Sequence, residues 1–221
     1  MPIYDHSGTT AAQIGKLYDH NGTTATQIGK VYDNNGTTNT LIYSSETVLF
    51  QNGATADSGA WTGYSAYGGS APTIGTTISY PTQNHSAWIG SLASCATPIK
   101  LSGSHTLSFA MTQAKAGLQT TNIGIGKKWG LRIYALFSTS RITLDSATTD
   151  VITWAESHSK YSKVCDSYVV YQGDNSQTSI ITAGTKTTSL NISGSYYFGL
   201  LLAGYDASVT SAFTVNNIII T

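Results

Sequence analysis

Charged residues are scarce in this sequence. Its 221 residues include eleven Lys and Arg and eleven Asp and Glu, so 10% of the chain is charged and the formal net charge is zero. Soluble domains average roughly 25% charged residues. No basic run is long enough to follow a phosphate backbone, which argues against nucleic acid as a partner. Hydroxyl and amide side chains must therefore supply most of the polar surface.

Long apolar runs and cysteines are also few. A membrane-spanning helix needs about 18 consecutive apolar residues, and no stretch of the sequence is that long. We therefore expect no membrane insertion. The first residues, Met-Pro-Ile-Tyr-Asp, do not have the pattern of a secretory signal. The two cysteines, Cys95 and Cys165, lack metal-ligand spacing. Either both are reduced and buried, which we favour, or they pair with each other.

Motifs of the common catalytic sites are missing. The sequence contains no Gly-x-Ser-x-Gly, no His-Glu-x-x-His, no phosphate-binding loop and no Cys-x-x-Cys. Paired carboxylates could hydrolyse glycosides, and the candidates are Asp145, Asp150 and Glu156. These residues lie in a Ser- and Thr-rich stretch, where acidic residues commonly form turns. We therefore expect a protein that is not an enzyme and has no catalytic residues, no metal and no cofactor.

A fourteen-residue repeat occupies the beginning of the chain. Its three adjoining copies are YDHSGTTAAQIGKL (4–17), YDHNGTTATQIGKV (18–31) and YDNNGTTNTLIYSS (32–45). Asn-Gly suits a tight type I′ turn, and the Thr-rich flanks favour extended backbone. Each copy is therefore predicted to form a β-hairpin, with a domain boundary near Ser45.

Each copy has too few large apolar side chains to build a core. Ordering a residue costs roughly 1–2 kcal/mol of backbone entropy, so hairpins this polar need neighbours. Those neighbours could be the same segment of other subunits or a larger assembly, and a disordered polar tail is the alternative. The predicted anchoring or oligomerisation residues are Tyr4, Ile14, Tyr18, Ile28, Tyr32 and Ile42.

Residues 46–221 read as an all-β domain. About ten or eleven short β runs follow one another at roughly 8–14-residue spacing, which is typical of a sandwich or barrel. One run, 129–137, alternates so that one face would be buried. Residues 150–156 are predicted as a strand, 110–118 as one helical turn or a strand end, and 196–198 as part of a core strand. Helix should be scarce.

Aromatic residues suggest a binding surface. Fourteen Tyr and four Trp in a weakly charged, Gly-rich β protein are typical of a surface that stacks on sugar rings. Residues 52–72 are rich in turn-forming residues and are predicted as a long loop, which carries several of these aromatic side chains. The predicted saccharide-binding residues are Asp57, Trp61, Tyr64, Tyr67 and Trp88. The alternative for Trp61 and Trp88 is a place in the sandwich core.

The abutting YDxNGTT…IGK copies resemble short repeats at the start of virion proteins of tailed phages from Gram-positive hosts. In those proteins such a segment commonly attaches the protein to the particle or to its trimer partners. The resemblance implies a virion protein of the tail, baseplate or head-fibre type that contacts other virion proteins and forms a homotrimer.

The remainder of the chain resembles a jelly-roll of the carbohydrate-binding-module type. The residues that carry this resemblance are Asn52-Gly53, Trp61 and Val215-Asn216-Asn217-Ile218. The calcium-binding acidic cluster of many such modules is not evident. The resemblance implies an N-terminal repeat of β-hairpins followed by a jelly-roll β-sandwich that binds host cell-surface saccharide. Two alternatives are a decoration protein that contacts only other virion proteins and a depolymerase.

Overall fold

A computed structural model describes most of the chain. The described residues are 4–7, 10–13, 18–21, 24–27, 30–34, 39–44, 46–66, 69–85, 89–118, 128–158, 161–171, 183–205 and 209–221. The chain divides into two compact units between Thr47 and Val48, with the terminal Thr221 counted in the first. The boundary predicted near Ser45 falls two residues earlier.

The first unit contains three antiparallel strand pairs. These are β1 (Tyr4–Ser7) with β2 (Thr10–Gln13), β3 (Tyr18–Asn21) with β4 (Thr24–Gln27), and β5 (Lys30–Asn34) with β6 (Asn39–Ser44). The register recurs every fourteen residues, because Tyr4 is opposite Gln13, Tyr18 opposite Gln27, and Tyr32 opposite Leu41. Asn21 pairs with Thr24 and so belongs to a strand, whereas the sequence predicted it in the turn. The remaining turn residues lie outside the described residues.

Strands are the main elements of the second unit, and the all-β prediction is confirmed. They are β7 (Thr47–Phe50), β8 (Trp61–Ser65), β9 (Thr73–Ile74), β10 (Ile78–His85), β11 (Ile89–Cys95), β12 (Ile99–Leu101), β13 (Ser104–Leu118), β14 (Lys128–Ser138), β15 (Tyr161–Tyr171), β16 (Gly184–Asn191), β17 (Gly194–Tyr205) and β18 (Val209–Ile220). The segment 110–118 belongs to the long strand β13. The predicted long loop is partly strand, because β8 runs through it.

The strands form two antiparallel sheets. Sheet 1 has the order β16-β13-β18-β10-β9, with β7 also pairing with β18. Sheet 2 has the order β15-β14-β17-β11-β8, with β12 also pairing with β17. Strands that are close in sequence often belong to different sheets, as β10 and β11, β13 and β14, and β15 and β16 do. The connections therefore repeatedly cross from one sheet to the other.

One hydrophobic cluster joins the inner faces of the two sheets. Phe109 and Ile218 from sheet 1 and Phe137, Phe198 and Leu200 from sheet 2 all belong to it, and each is at most 1% exposed. Residues of both sheets in one buried cluster define a β-sandwich. A buried hydrogen bond also crosses between the sheets: Tyr80 Oη of β10 donates to the Leu200 carbonyl of β17 at 2.6 Å. Tyr196 and Phe198 are buried in the core, as predicted.

Residues 151–158 form a helix, so the strand predicted over 150–156 is wrong. Helix α1 (Val151–His158) begins after Asp150, whose Oδ1 accepts a hydrogen bond from the Thr153 amide at 2.9 Å. An aspartate in this position is a favourable N-cap, and it outweighs the strand propensity of Val-Ile-Thr. Val151 and Ala155 are fully buried. The helix therefore packs one face on the sandwich.

Helix α1 and the segment before it cover the outer face of sheet 2. A second buried cluster there contains Leu92, Tyr134 and Leu201 of the sheet together with Leu144 and Val151. Strand β14 alternates as predicted, but both of its faces are buried: Ile133, Ala135 and Phe137 face the inner core, and Tyr134 and Leu136 face the outer cluster. One buried face was predicted for this strand and the structure buries both, because sequence alternation does not reveal a covering helix.

Sheet 1 presents an outer face of small hydroxyl side chains. Thr187 of β16 is opposite Ser108 of β13, and Ser79 of β10 is opposite Thr214 of β18. Ser108, Ser79 and Thr214 alternate with buried core residues, and Thr187 alternates with half-buried ones. All four positions are exposed or half-buried. We call this surface the hydroxyl face. The outer face of sheet 1 therefore carries hydroxyl groups, whereas the outer face of sheet 2 packs against helix α1.

Candidate functional site

The side chain of Asp57 is used within the fold. Its Oδ2 accepts a hydrogen bond from the Val48 amide at 2.6 Å, and its own amide donates to the Val48 carbonyl at 3.2 Å. The carboxylate is exposed but already engaged with the backbone of β7. A role in fixing β7 explains this residue without a ligand.

Trp61 lies in the core, which was the alternative considered for it. The residue is 8% exposed, and its ring meets Phe50 and Phe198 edge-on at centroid distances of 5.8 and 5.9 Å. The indole Nε1 donates to Ser58 Oγ at 2.7 Å and to the Leu49 carbonyl at 3.2 Å. Aromatic neighbours cover the ring, so the assignment of Trp61 to saccharide binding is corrected. Side chains alternate between the two faces of a strand, and the position of Trp61 on β8 faces the inner core.

Tyr64 lies on the opposite face of the same strand. It is half-buried and packs against the outer cluster of sheet 2. Tyr64 is opposite Leu92, which is opposite Leu201 in turn, so the three side chains form one row across the sheet. Because β8 is an edge strand, the Tyr64 ring lies at the margin of that covered surface. Tyr67 and Trp88 lie outside the described residues.

Two polar side chains accompany Tyr64. Thr62 is two residues earlier on β8 and therefore on the same face. The exposed Arg141 donates from Nη2 to Thr62 Oγ1 at 3.0 Å. We call Tyr64, Thr62 and Arg141 the edge patch. An aromatic ring beside hydroxyl and guanidinium groups can stack on the apolar face of a sugar and bond its hydroxyls.

The three candidate carboxylates for hydrolysis have structural partners. Asp145 Oδ1 accepts the Ala147 amide at 2.8 Å, which is an Asx-turn. Asp150 caps helix α1, as described above. The use of Asp145 agrees with the expectation that acidic residues of this stretch form turns, whereas Asp150 caps a helix that was not predicted.

Glu156 belongs to a polar network at the outer cluster. The Tyr134 hydroxyl donates to Glu156 Oε1 at 3.0 Å, and Arg132 Nη1 donates to the same hydroxyl at 3.0 Å and lies 3.4 Å from Oε1. Burial raises the pKa of Tyr134 above its ordinary value, and Glu156 raises it further, while Arg132 lowers it. The phenol therefore stays neutral and ties helix α1 to β14.

Two of the three motifs that carried the jelly-roll resemblance, Asn52-Gly53 and Val215-Asn216-Asn217-Ile218, meet in space. The Asn52 amide donates to Asn216 Oδ1 at 2.8 Å, and Asn216 Nδ2 donates to Asn52 Oδ1 at 2.7 Å. Asn52 and Asn217 have positive φ, at 50° and 52°. Asn tolerates this conformation better than most residues, which explains its use at both positions. Both motifs were identified in the sequence, but their contact across 164 residues was not predicted.

The predicted anchoring residues are distributed over the repeat strands. Tyr4, Tyr18, Tyr32 and Ile42 lie in β1, β3, β5 and β6. Ile14 and Ile28 lie outside the described residues. Within the described part of the chain, no group of three or more His, Cys, Asp or Glu side chains comes together as a metal site. No helix of the described residues has the length and hydropathy needed to cross a membrane.

Neither a protein-family model nor a curated protein matches this chain. Functional reasoning therefore depends on the residues and their geometry.

Proposed function

We propose that this chain is a non-enzymatic component of a bacteriophage particle. Residues 1–45 attach it to other virion proteins or to two further copies of itself, and the sandwich binds a saccharide of the host cell surface. The observation that carries the proposal is the two-part organisation, with hairpins of one repeated register followed by a separate β-sandwich. An anchor joined to a recognition domain has this arrangement.

The strand order supports a jelly-roll assignment for the sandwich. β10, β18, β13 and β16 are neighbours in sheet 1, and β11, β17, β14 and β15 are neighbours in sheet 2. Eight antiparallel strands whose connections pass between two sheets are expected of a jelly-roll. Fold alone does not assign a ligand, so the saccharide proposal depends on the edge patch.

The edge patch offers what a neutral sugar needs. The Tyr64 ring stacks on the apolar face of a pyranose, and Thr62 and Arg141 bond its hydroxyls. A single patch of this size binds weakly, but linked copies gain roughly 10²–10⁴ in avidity when the geometry allows simultaneous engagement. Display of several copies on one particle therefore suits the proposal.

The test is binding of the full chain to an array of host cell-wall and capsule saccharides. Tyr64→Ala and Arg141→Ala are expected to weaken binding at least tenfold, while Lys100→Ala, at an exposed position on β12, is expected to leave it unchanged. Binding to no saccharide, or equal binding by all variants, would refute the role of the edge patch. Light scattering tests the trimer, and a monomer at micromolar concentration contradicts it.

A decoration protein that contacts only virion proteins is the second candidate. The burial of Trp61 and the use of Asp57 by the backbone remove two of the proposed sugar contacts, which favours this candidate. The hydroxyl face is uncharged at the positions named above and could pack against another subunit. Electron cryo-microscopy of the intact particle distinguishes the two: a sandwich that projects outward supports adhesion, and one packed into the shell or tail wall supports decoration.

A further inference from the structure

Strand β7 is the point at which the chain enters the sandwich. The division between the two units falls at Thr47 and Val48, and β7 runs from Thr47 to Phe50. Along the backbone, Val48 is the first residue of the second unit, so tension carried by the preceding chain enters this unit there. The strand has four residues, fewer than the usual five or six. Backbone pairing with β18 alone would give it a short attachment.

Side chains from residues 57–61 hold β7 in addition to its pairing with β18. The Val48 amide donates to the Asp57 carboxylate, and the Val48 carbonyl accepts from the Asp57 amide. The Leu49 carbonyl accepts from both Ser58 Oγ and Trp61 Nε1. Leu49 and Phe50 are 0% exposed, so the strand is also fixed by burial of its side chains.

A further contact holds the chain just after β7. Asn216 of β18 accepts from the Asn52 amide and donates to the Asn52 side-chain oxygen. The backbone of Gln51 and Ala54 closes the same turn with two hydrogen bonds of 2.8 Å. Detachment of β7 therefore requires the loss of its bonds to residues 57–61, of its pairing with β18 and of the burial of Leu49 and Phe50. The bonds between Asn52 and Asn216 hold the turn that follows.

We propose that this arrangement is a mechanical junction, which keeps the sandwich folded when force is applied through residues 1–45. The proposal rests on the proposed function only in that a virion anchor would supply the force. Asp57 and Asn216 are its positioning residues, since Asp57 bonds the backbone of β7 and Asn216 bonds Asn52 in the turn that follows. Neither role needs a ligand.

The test is single-molecule stretching of the full chain between handles at its two ends. Under constant force, Asp57→Ala and Asn216→Ala are expected to speed the first opening of the sandwich about fivefold to thirtyfold, the factor that one or two kcal/mol represents. The first step should release the residues next to Val48, at no more than about 3.6 Å per residue. Steps that arise from residues 1–45 should be the same in every variant and serve as an internal reference.

Two matched variants make the experiment specific. Asp145→Ala removes an equivalent bond between a carboxylate and a backbone amide, far along the chain from β7, and is expected to leave the opening rate unchanged. Asp57→Asn keeps an oxygen acceptor for Val48 and should restore most of the wild-type rate. Equal rates for wild type and Asp57→Ala, or equal acceleration by Asp145→Ala, would overturn the proposal. Because no particle or saccharide is used, this result is independent of the proposed function.

Discussion

Replacement of Trp61 by Phe separates a core role from a ligand role. Phe retains an aromatic ring between Phe50 and Phe198 but has no N–H for Ser58 Oγ and the Leu49 carbonyl. Loss of a buried donor leaves its partners under-satisfied, at a cost of about 1–3 kcal/mol. The smaller ring adds about 1 kcal/mol for the space it vacates. We expect Trp61→Phe to lower the free energy of unfolding by roughly 2–4 kcal/mol.

The assay is urea unfolding followed by circular dichroism, together with saccharide binding measured well below the transition. The same substitution at Trp154, which is half-buried on α1, is expected to cost less. Binding per folded molecule should be unchanged in Trp61→Phe. If stability changes by less than about 0.5 kcal/mol, or if binding is lost while stability is retained, the assignment of Trp61 to the core is incorrect.

Three further predictions concern the sandwich. Burial raises the pKa of the phenols of Tyr80 and Tyr134, so the folded protein holds these protons more tightly than the unfolded chain. Their contribution to the free energy of unfolding should therefore be complete below pH 10 and decrease above it. Tyr80→Phe should cost about 1–2 kcal/mol at neutral pH and reduce the alkaline loss by up to about 1.4 kcal/mol per pH unit, as followed by unfolding at several pH values. Gly90→Val should lower the free energy of unfolding by about 1–3 kcal/mol, because a Cβ there would lie 2.6–3.2 Å from three side chains. Gly75→Ala is the control: a Cβ there would have only one atom within 4 Å, so thermal unfolding should be little changed. Asp150→Ala should cost about 1 kcal/mol and increase hydrogen exchange at the start of α1.

The strands were predictable because their signals are local. Alternating apolar residues and turn residues at regular spacing identify most strands of the sandwich, and the alternating run 129–137 lies within β14, which is one residue longer at each end. Helix α1 was missed because its eight residues begin with Val-Ile-Thr, whose strand propensity dominates a short window. The deciding signal was the aspartate before them, which reads as an N-cap only when a helix is already under consideration.

The use of the aromatic residues was not predictable to the same degree. Trp61 and Tyr64 are three positions apart in one Gly- and Ser-rich stretch, and composition treats them alike. Their separation follows from strand alternation, which sends Trp61 inward and Tyr64 outward. A strand starting at Trp61 would have indicated this difference. The bond from Trp61 to Ser58, three residues earlier, is local too, but it depends on the turn between them.

The two outer faces limit where a ligand can bind. On sheet 2, small residues let the cover approach closely: Gly90 lies against Ala66, Leu144 and Val151, so this region has no room for a sugar. The edge patch escapes the cover because β8 is the last strand of that sheet. The hydroxyl face has no such cover among the described residues, but it lacks an aromatic ring at the positions named. A pyranose gains most where stacking and hydrogen bonding coincide, and this favours the edge patch over the hydroxyl face.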